Sequence, residues 1–311
     1  NKYKLIKIKN KLGKTRIYSR KFTKKIILEE KFISSKIKLK KKLPVASGGL
    51  RFKNLFKNSV KKKPLISIIM PNFKCLSIEK AIKSVLKQNY DNLELIVIDG
   101  DSGEETLKIL QSYNQDIDIW ISEKDKGMWD AWNKGFKLAN GDYVGIVDSS
   151  NILYPNAIKI LVKYINKFPS HDFICGAVKK DNKIYAGFRP DDIKKQFNII
   201  PSSIVGFYIK LESLKKVGLL NIKYKYSSDY DFLYRIIVKN RMKGIHTKGH
   251  EIFGDLGDSG ISSGSNFLIK IANEIKIRFD NGQNIFELFY IFFGRSIMKI
   301  FKSISVKKIY K

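Results

Sequence analysis

The sequence predicts an α/β fold: a mostly parallel sheet flanked by helices, with a basic N-terminal arm and a C-terminal helical tail. Three observations predict it. From Pro64 onward, short β-branched apolar runs alternate with stretches that are apolar at helical spacing. Such alternation marks βαβ units with right-handed crossovers. The apolar runs are continuous rather than alternating, as in strands buried on both faces. Finally, residues 1–63 carry 23 Lys or Arg against two acids, so they hold +21 of the net charge of +31 and stand apart from the rest.

Each element follows in order. In residues 1–63, "KLIKIKNKLGK" has weak period-two character, while "KKIILEEKFISSKIKLKKK" fits either a helix or a strand. A basic arm of short elements ending in the loop "PVASGGL" is expected. "LISIIMP", bounded by Pro64 and Pro71, is the first buried strand. Ser77 is placed as the N-cap of "SIEKAIKSVLKQ", whose Ile78, Ile82, Val85 and Leu86 share one face. "LELIVID", "IDIWISE" and "DYVGIVD" are the next strands; "EETLKILQSY" and "MWDAWNKGFKLA" are the helices between them. Asn140-Gly141 is expected to stop the latter helix. "NAIKILVKYINKF" is a further helix, and "DFICGAVKKDNKIYAGF" is a hairpin turning at Asp181-Asn182. "KLESLKKVG" is a short helix, and "SSDYDFLYRIIVKN" opens another with Ser228 and Asp231 spaced as a capping box.

These elements divide the chain into the arm (1–63), a catalytic-type domain (64–265, with halves 64–151 and 152–265) and an amphipathic helical tail (266–311). Cys75 and Cys175 lack metal-ligand spacing and do not form a disulfide framework, which suits a reducing compartment. His171, His246 and His250 form no ligand or triad pattern and are read as structural or exposed. No stretch is apolar enough to span a bilayer or to act as a signal peptide.

Parallel sheets bind ligands beyond the carboxyl ends of their strands, and the polar residues expected there are Asn72, Asp99, Asp125 and Asp148. Two segments carry a resemblance. "PLISIIMPNFKCLSIEKAIKSVLKQNYDNLELIVIDGDS" and "WISEKDKGMWDAWNKGFKLANGDYVGIVDSSN" are similar to the opening and the donor-binding middle of family 2 glycosyltransferases. The likeness spans roughly residues 64–263, resembles surface-polysaccharide enzymes of bacterial type, and implies a GT-A (Rossmann-like) fold. It implies a nucleotide-diphosphate sugar donor, with uridine the expected nucleoside, and inverting transfer to a hydroxyl.

The resemblance implies roles for single residues. Asp99 would face the base, Pro71 and Asn72 would begin the nucleotide-binding loop, and Asp125 and Lys126 would lie against the nucleotide or its phosphates. Asp148 would sit at the ribose or a metal, beside Ser150. Asp229 in "SSDYD" would be the general base that takes the proton of the acceptor hydroxyl. Without the resemblance, Asp99 simply opens a turn, "DKG" is an ordinary turn, and Asp229 is an acid at the positive end of a helix. Trp129 and Trp132 read as core or lid aromatics.

The metal motif departs from the family's pattern. The segment is Asp148-Ser149-Ser150-Asn151, so one acid is kept and the acid expected at Ser150 is absent. A divalent cation (Mn2+ or Mg2+) takes oxygen ligands from such acids. Three outcomes stay open: a weakened metal site held by Asp148, Lys or Arg in place of the metal, or lost catalysis. Asp258 interrupts "GDLGDSGISS", similar to the family's Gly-rich loop.

The basic ends suggest an anionic partner. Phe286, Phe289, Tyr290 and Phe293 lie at helical spacing beside Arg295 and Lys299. A helix lying in a membrane interface is one expectation, and a helix docked on the domain is the other. The leading reading is a glycosyltransferase on the cytoplasmic membrane face, acting on a glycan or lipid-linked acceptor. A catalytically weakened relative with a binding role is the alternative. Specific nucleic-acid binding is disfavoured, because no recognition motif accompanies the charge.

Overall fold

The computed structural model describes residues 5–20, 46–188, 204–257, 267–294 and 297. A hairpin, β1 (Leu5–Lys9) and β2 (Thr15–Ser19), comes first. The central sheet then uses β3 (Ala46–Gly48), β4 (Ile66–Asn72), β5 (Leu93–Asp99), β6 (Ile119–Ser122) and β7 (Tyr143–Ile146). It is completed by β9 (Phe173–Cys175), β12 (Phe207–Lys210) and β13 (Gly244–His246). The strand order is β13-β9-β12-β7-β4-β5-β6-β3. β7, β4, β5 and β6 run parallel; β12 is antiparallel to both its neighbours, and β3 is antiparallel to β6. A smaller sheet packs β11 (Lys183–Tyr185), β10 (Ala177–Lys180), β14 (Ile252–Asp255) and β8 (Ile152–Leu153) in that order.

Two apolar layers fix the helices on the sheet. Ile66, Ile68, Met70, Leu93, Leu95 and Val97 face α1 (Ile78–Leu86), α2 (Glu104–Ser112) and α4 (Ala157–Lys167). Ile69, Ile96, Ile98 and Ile119 face α3 (Met128–Leu138), α5 (Leu211–Val217) and α6 (Ser228–Tyr234). This alternation is the two-residue period of strands covered on both sides. Gly135 lets α3 lie directly against Ile69, since a Cβ there would collide with the Ile69 side chain. The chain continues into α7 (Phe267–Asp280) and α8, residues 285–294. No helix among the described residues is long and apolar enough to cross a membrane.

The hairpin at Asp181-Asn182 forms as expected, with φ of 48° and 61°, the left-handed pair that a two-residue turn needs. Strand β4 does end at Pro71 and Asn72. Its pairing with β7 ends at Ile69↔Ile146, so the missing Pro71 N–H costs no bond on that side. Several other expectations need correction. Ser77 precedes α1, but its hydroxyl donates to the Ser149 carbonyl (3.0 Å) rather than capping the helix. The Ser228/Asp231 capping box does not form. Ser227 is the N-cap, and Asp231 binds Arg235 (2.9 Å) and Asn281 (2.8 Å), which lie along the helix and across to α7's end. Asn140-Gly141 ends α3 by close approach, not by a left-handed cap. Asn140 N–H donates to Glu94 (2.7 Å), and a Cβ on Gly141 would lie 2.6 Å from Ser67 Oγ.

Residues 46–63 are part of the domain rather than of a basic arm. β3 extends the sheet beyond β6. Arg51 pairs with Glu94 at 2.5 Å and donates to the Leu138 carbonyl at 2.7 Å. Lys57 pairs with Asp118 at 2.8 Å and lies over the Tyr18 ring. Both pairs are buried, so these cations are neutralised inside the protein. The hairpin β1–β2 is tied down as well, through Asn10 and Arg16 donating to the Leu86 carbonyl. Residues 21–45 lie outside the described residues.

Candidate functional site at the carboxyl ends of four parallel strands

Asn72, Asp99, Ser122 and Val147 end, or directly follow, four adjacent parallel strands. The register places Asn72 opposite Asp99, and Asp99 opposite Ser122. Asp99 is fully buried, and both its oxygens are taken. Asn72 Nδ2 donates to it at 2.8 Å, Ser122 Oγ at 2.6 Å and Ser102 N at 3.1 Å, with the Ser102 hydroxyl as the fourth donor. Such saturation makes Asp99 the rigid floor of the site. One oxygen is left over: buried Asn72 Oδ1 has no hydrogen-bond partner.

The loop after β6 carries Asp125 and Lys126. Asp125 Oδ1 accepts Gly127 N–H at 2.8 Å, and Lys126 N–H donates to Asp130 at 3.1 Å, which shapes the turn into α3. Gly127 has φ 103°, a conformation that glycine adopts without strain. The Lys126 side chain is exposed. Partial burial raises the Asp125 pKa, the Gly127 N–H opposing the rise. The loop sits next to the Asp99 turn: a Cβ on Gly100 would lie 2.7 Å from Asp125 Oδ2. A buried pair braces it from below, Lys134 with Glu123 at 2.9 Å, and Lys134 also reaches the Lys124 carbonyl.

Asp148 follows β7. Burial pushes its carboxyl up to about 7, with the Trp132 indole acting weakly the other way. No hydrogen bond of good geometry reaches either buried atom, so Asp148 Oδ1 and Trp132 Nε1 both lack a partner. Ser149 N–H donates to the Pro71 carbonyl at 3.3 Å, locking this turn to β4. Ser150 packs against Gly257, where a Cβ would strike the Ser150 carbonyl. Asn151 Oδ1 accepts Gly257 N–H at 2.9 Å. Asp258 and the rest of that Gly-rich loop lie outside the described residues.

Asp229 opens α6. Its side chain is exposed, while desolvation by the neighbouring protein raises its pKa. Tyr230 N–H donates to it at 2.9 Å. The segment leading to α6 is fastened to α3, the helix that follows Asp125: Trp129 Nε1 donates to the Lys225 carbonyl (2.8 Å), and Asn133 and Leu220 exchange two hydrogen bonds. Trp129 and Trp132 are buried and packed edge to face at 5.0 Å, core aromatics as expected.

The donor set tests a cation directly. Among the described residues, no group of three or more His, Cys, Asp or Glu could hold a metal. Asp148 offers one partnerless carboxylate oxygen, while the Asn151 amide oxygen is already engaged. One carboxylate is too few for an all-protein cage, since such ions take at least about six oxygen ligands.

Sequence reasoning singled out the strand-end acids but missed Ser102, Ser122 and the Lys134–Glu123 brace. Ser122 was within reach, because aligning the ends of two parallel strands sets it opposite Asp99.

The sequence profile described as glycosyl transferase family 2 matches residues 67–231, more than half of the chain. The chain belongs to this family. Relatives of this family 2 glycosyltransferase include an uncharacterized glycosyltransferase of Rickettsia typhi. It is 31% identical over 188 residues, covering 56% of this chain and 59% of that protein. A second relative is an Escherichia coli enzyme named UDP-Glc:alpha-D-GlcNAc-diphosphoundecaprenol beta-1,3-glucosyltransferase WfgD, 36% identical over 105 residues, 33% of this chain and 42% of that one. Among solved structures, Staphylococcus aureus TarS 1–349 in complex with UDP-GlcNAc superposes with a TM-score of 0.54. Its identity is 18%, over 68% of this chain and 65% of that one. That likeness establishes the GT-A fold.

Proposed function

We propose that this family 2 glycosyltransferase moves a sugar from a uridine diphosphate donor to a hydroxyl of a glycan or lipid-linked acceptor, with inversion. One observation carries the reading. Two buried, partnerless acceptors, Asn72 Oδ1 and Asp148 Oδ1, stand at the carboxyl ends of neighbouring parallel strands. Buried acceptors without partners are few in native proteins, and a water, an ion or a ligand donor can complete them. Asn72 Oδ1 suits the imide N–H of a uracil, held in place by the Asp99 floor. Lys126 and the Gly127 backbone suit the diphosphate, with Pro71 and Ser150 shaping the walls. The UDP-GlcNAc bound by TarS and the UDP-Glc named for the Escherichia coli relative support the nucleotide.

Asp229 is the base. As the acceptor oxygen attacks the anomeric carbon, its proton passes to the Asp229 carboxylate, the new C–O bond forms, and the bond to the diphosphate breaks. Desolvation raises its pKa, which makes the carboxylate a stronger base than a free one. A divalent cation, Mn2+ or Mg2+, would be held by Asp148 together with the donor's own phosphates and would supply positive charge against the leaving diphosphate. Attachment to the cytoplasmic face of an anionic membrane through the basic ends completes the reading.

A second reading rests on the same turn. With one free carboxylate oxygen at Asp148 and Asn151 engaged by Gly257, the site also suits a protein that binds the donor without turning it over. Thermal unfolding with UDP and UDP-sugars, with and without Mn2+, separates the outcomes. Ligand at about 100 times its Kd stabilises by about 2.7 kcal/mol. Stabilisation with UDP release supports the transferase, and stabilisation without turnover supports the binding protein. No response to any uridine, guanosine or thymidine donor removes both.

A further inference from the structure

The helix at residues 285–294 presents an apolar face that no other described residue covers. Phe286 is 79% exposed, Phe289 55%, Tyr290 76% and Phe293 56%, and Ile297 continues the row at 50%. At 100° per residue these positions fall on one side, within about a third of the helix circumference. Leu288 and Ile291 lie on the opposite side and are buried. The helix is therefore docked on the molecule by one face and shows its aromatic face outward. Phe293 packs against both Phe289 and Phe292, at centroid distances of 6.4 Å and 5.6 Å, so the exposed rings form a continuous ridge. An exposed patch of this kind marks an interaction surface.

Charge selects the occupant. The chain carries +31, and residues 295–311, directly after the ridge, add six Lys or Arg and no acid. Two copies meeting ridge to ridge would bring these cations together. An anionic bilayer would attract them while taking the rings into the boundary between head groups and acyl chains. We infer that this ridge docks on an anionic lipid surface, with the rings inserted and the flanking cations on the head groups.

The ridge helix is coupled to the rest of the fold. α7 is joined to the base-bearing α6 through a buried polar interface. Tyr230 Oη donates to Glu274 (3.2 Å), Arg278 lies between the Tyr230 and Tyr234 rings, and Asn281 donates to Asp231 (2.8 Å). Gln283 then donates to Glu287 at 2.9 Å, linking α7's end to the ridge helix. The ridge helix is thus tied, through α7, to the buried face of α6 formed by Tyr230, Asp231 and Tyr234. The docking statement does not rest on the glycosyltransferase reading.

The test is flotation of the full chain with vesicles of phosphatidylcholine alone and of phosphatidylcholine mixed with phosphatidylglycerol. The wild type is expected to float with the mixed vesicles, and the Phe286→Ser/Tyr290→Ser/Phe293→Ser variant to bind at least about ten-fold more weakly. Equal binding by wild type and variant would reduce the interaction to charge alone and overturn the inference. So would a lipid-free dimer that the variant abolishes, because the ridge would then face a second copy. The UDP-induced thermal shift of the variant, unchanged from wild type, shows that it is folded. Should the triple variant misfold, Tyr290→Ser at the most solvent-open central position gives the same readout with a smaller loss. Failure of flotation leaves the donor-binding reading standing, and failure of donor binding leaves flotation standing.

Discussion

Asp229 combines an exposed edge with a desolvated setting, and that combination has opposite effects on stability and activity. Its folded pKa is raised, so the unfolded chain gives up this proton more readily. The protonated form therefore favours the native state at low pH, and that contribution is lost as pH rises through the folded value. Asp229→Asn is expected to raise the thermal midpoint at neutral pH while lowering transfer by about 10²–10⁴-fold, with UDP binding intact. Activity of the wild type should fall as pH drops through the raised Asp229 pKa, above the ordinary carboxylate range. A profile that keeps falling only near the ordinary range would assign the proton to another group. The acids themselves were legible in the sequence because each follows a buried strand or opens a helix. Their partners were not. That Asp99 is saturated by Ser102 and Ser122, whereas Asn72 Oδ1 is left over, depends on which side-chain atoms converge, and a linear pattern does not carry that.

At the level of elements, the parallel core was readable because two-sided burial leaves continuous β-branched runs. The edge was not. β3 is three residues long with small side chains, and it pairs with β6 some seventy positions later. The cations that follow it, Arg51 and Lys57, read as a solvated arm because composition cannot tell a paired, buried cation from a free one. Lys57→Met leaves Asp118 buried without its partner and is expected to cost about 3–5 kcal/mol in urea unfolding. A cost within about 0.5 kcal/mol would mean that water reaches Asp118. The α6–α7 interface invites a parallel experiment. Arg278 is fully buried between two tyrosines and bonded to Glu274 and Gln283. Arg278→Lys keeps the charge but loses the planar fork. It should lower kcat more than it raises the donor KM, because α6 and Asp229 shift while the strand-end site stays in place.

At the scale of the molecule, one central sheet joins the strands that end in Asn72 and Asp99 to the later strands that lead to Asp229. A chain begun at residue 64, the boundary the charge pattern suggests, would lose β3, Arg51 and Lys57 and leave the β6 edge bare. It is expected to aggregate, a known hazard of unpaired edges, and light scattering during refolding would report it. A truncated chain that refolds as a monomer with full UDP-induced stabilisation would show that the N-terminal segment is dispensable. The strand order has a further consequence for how the protein is made. β3 to β7 are consecutive in the chain and occupy one side of the sheet, while β9, β12 and β13 extend it from β7. On a ribosome, the strands that carry Asn72, Asp99 and Asp148 emerge before the helix that carries Asp229. Domains fold from the N-terminus as they are synthesised, so the cluster of Asn72 and Asp99 is the older part of each nascent molecule, and it waits, with the β7 edge open, for the strand that brings Asp229 behind it.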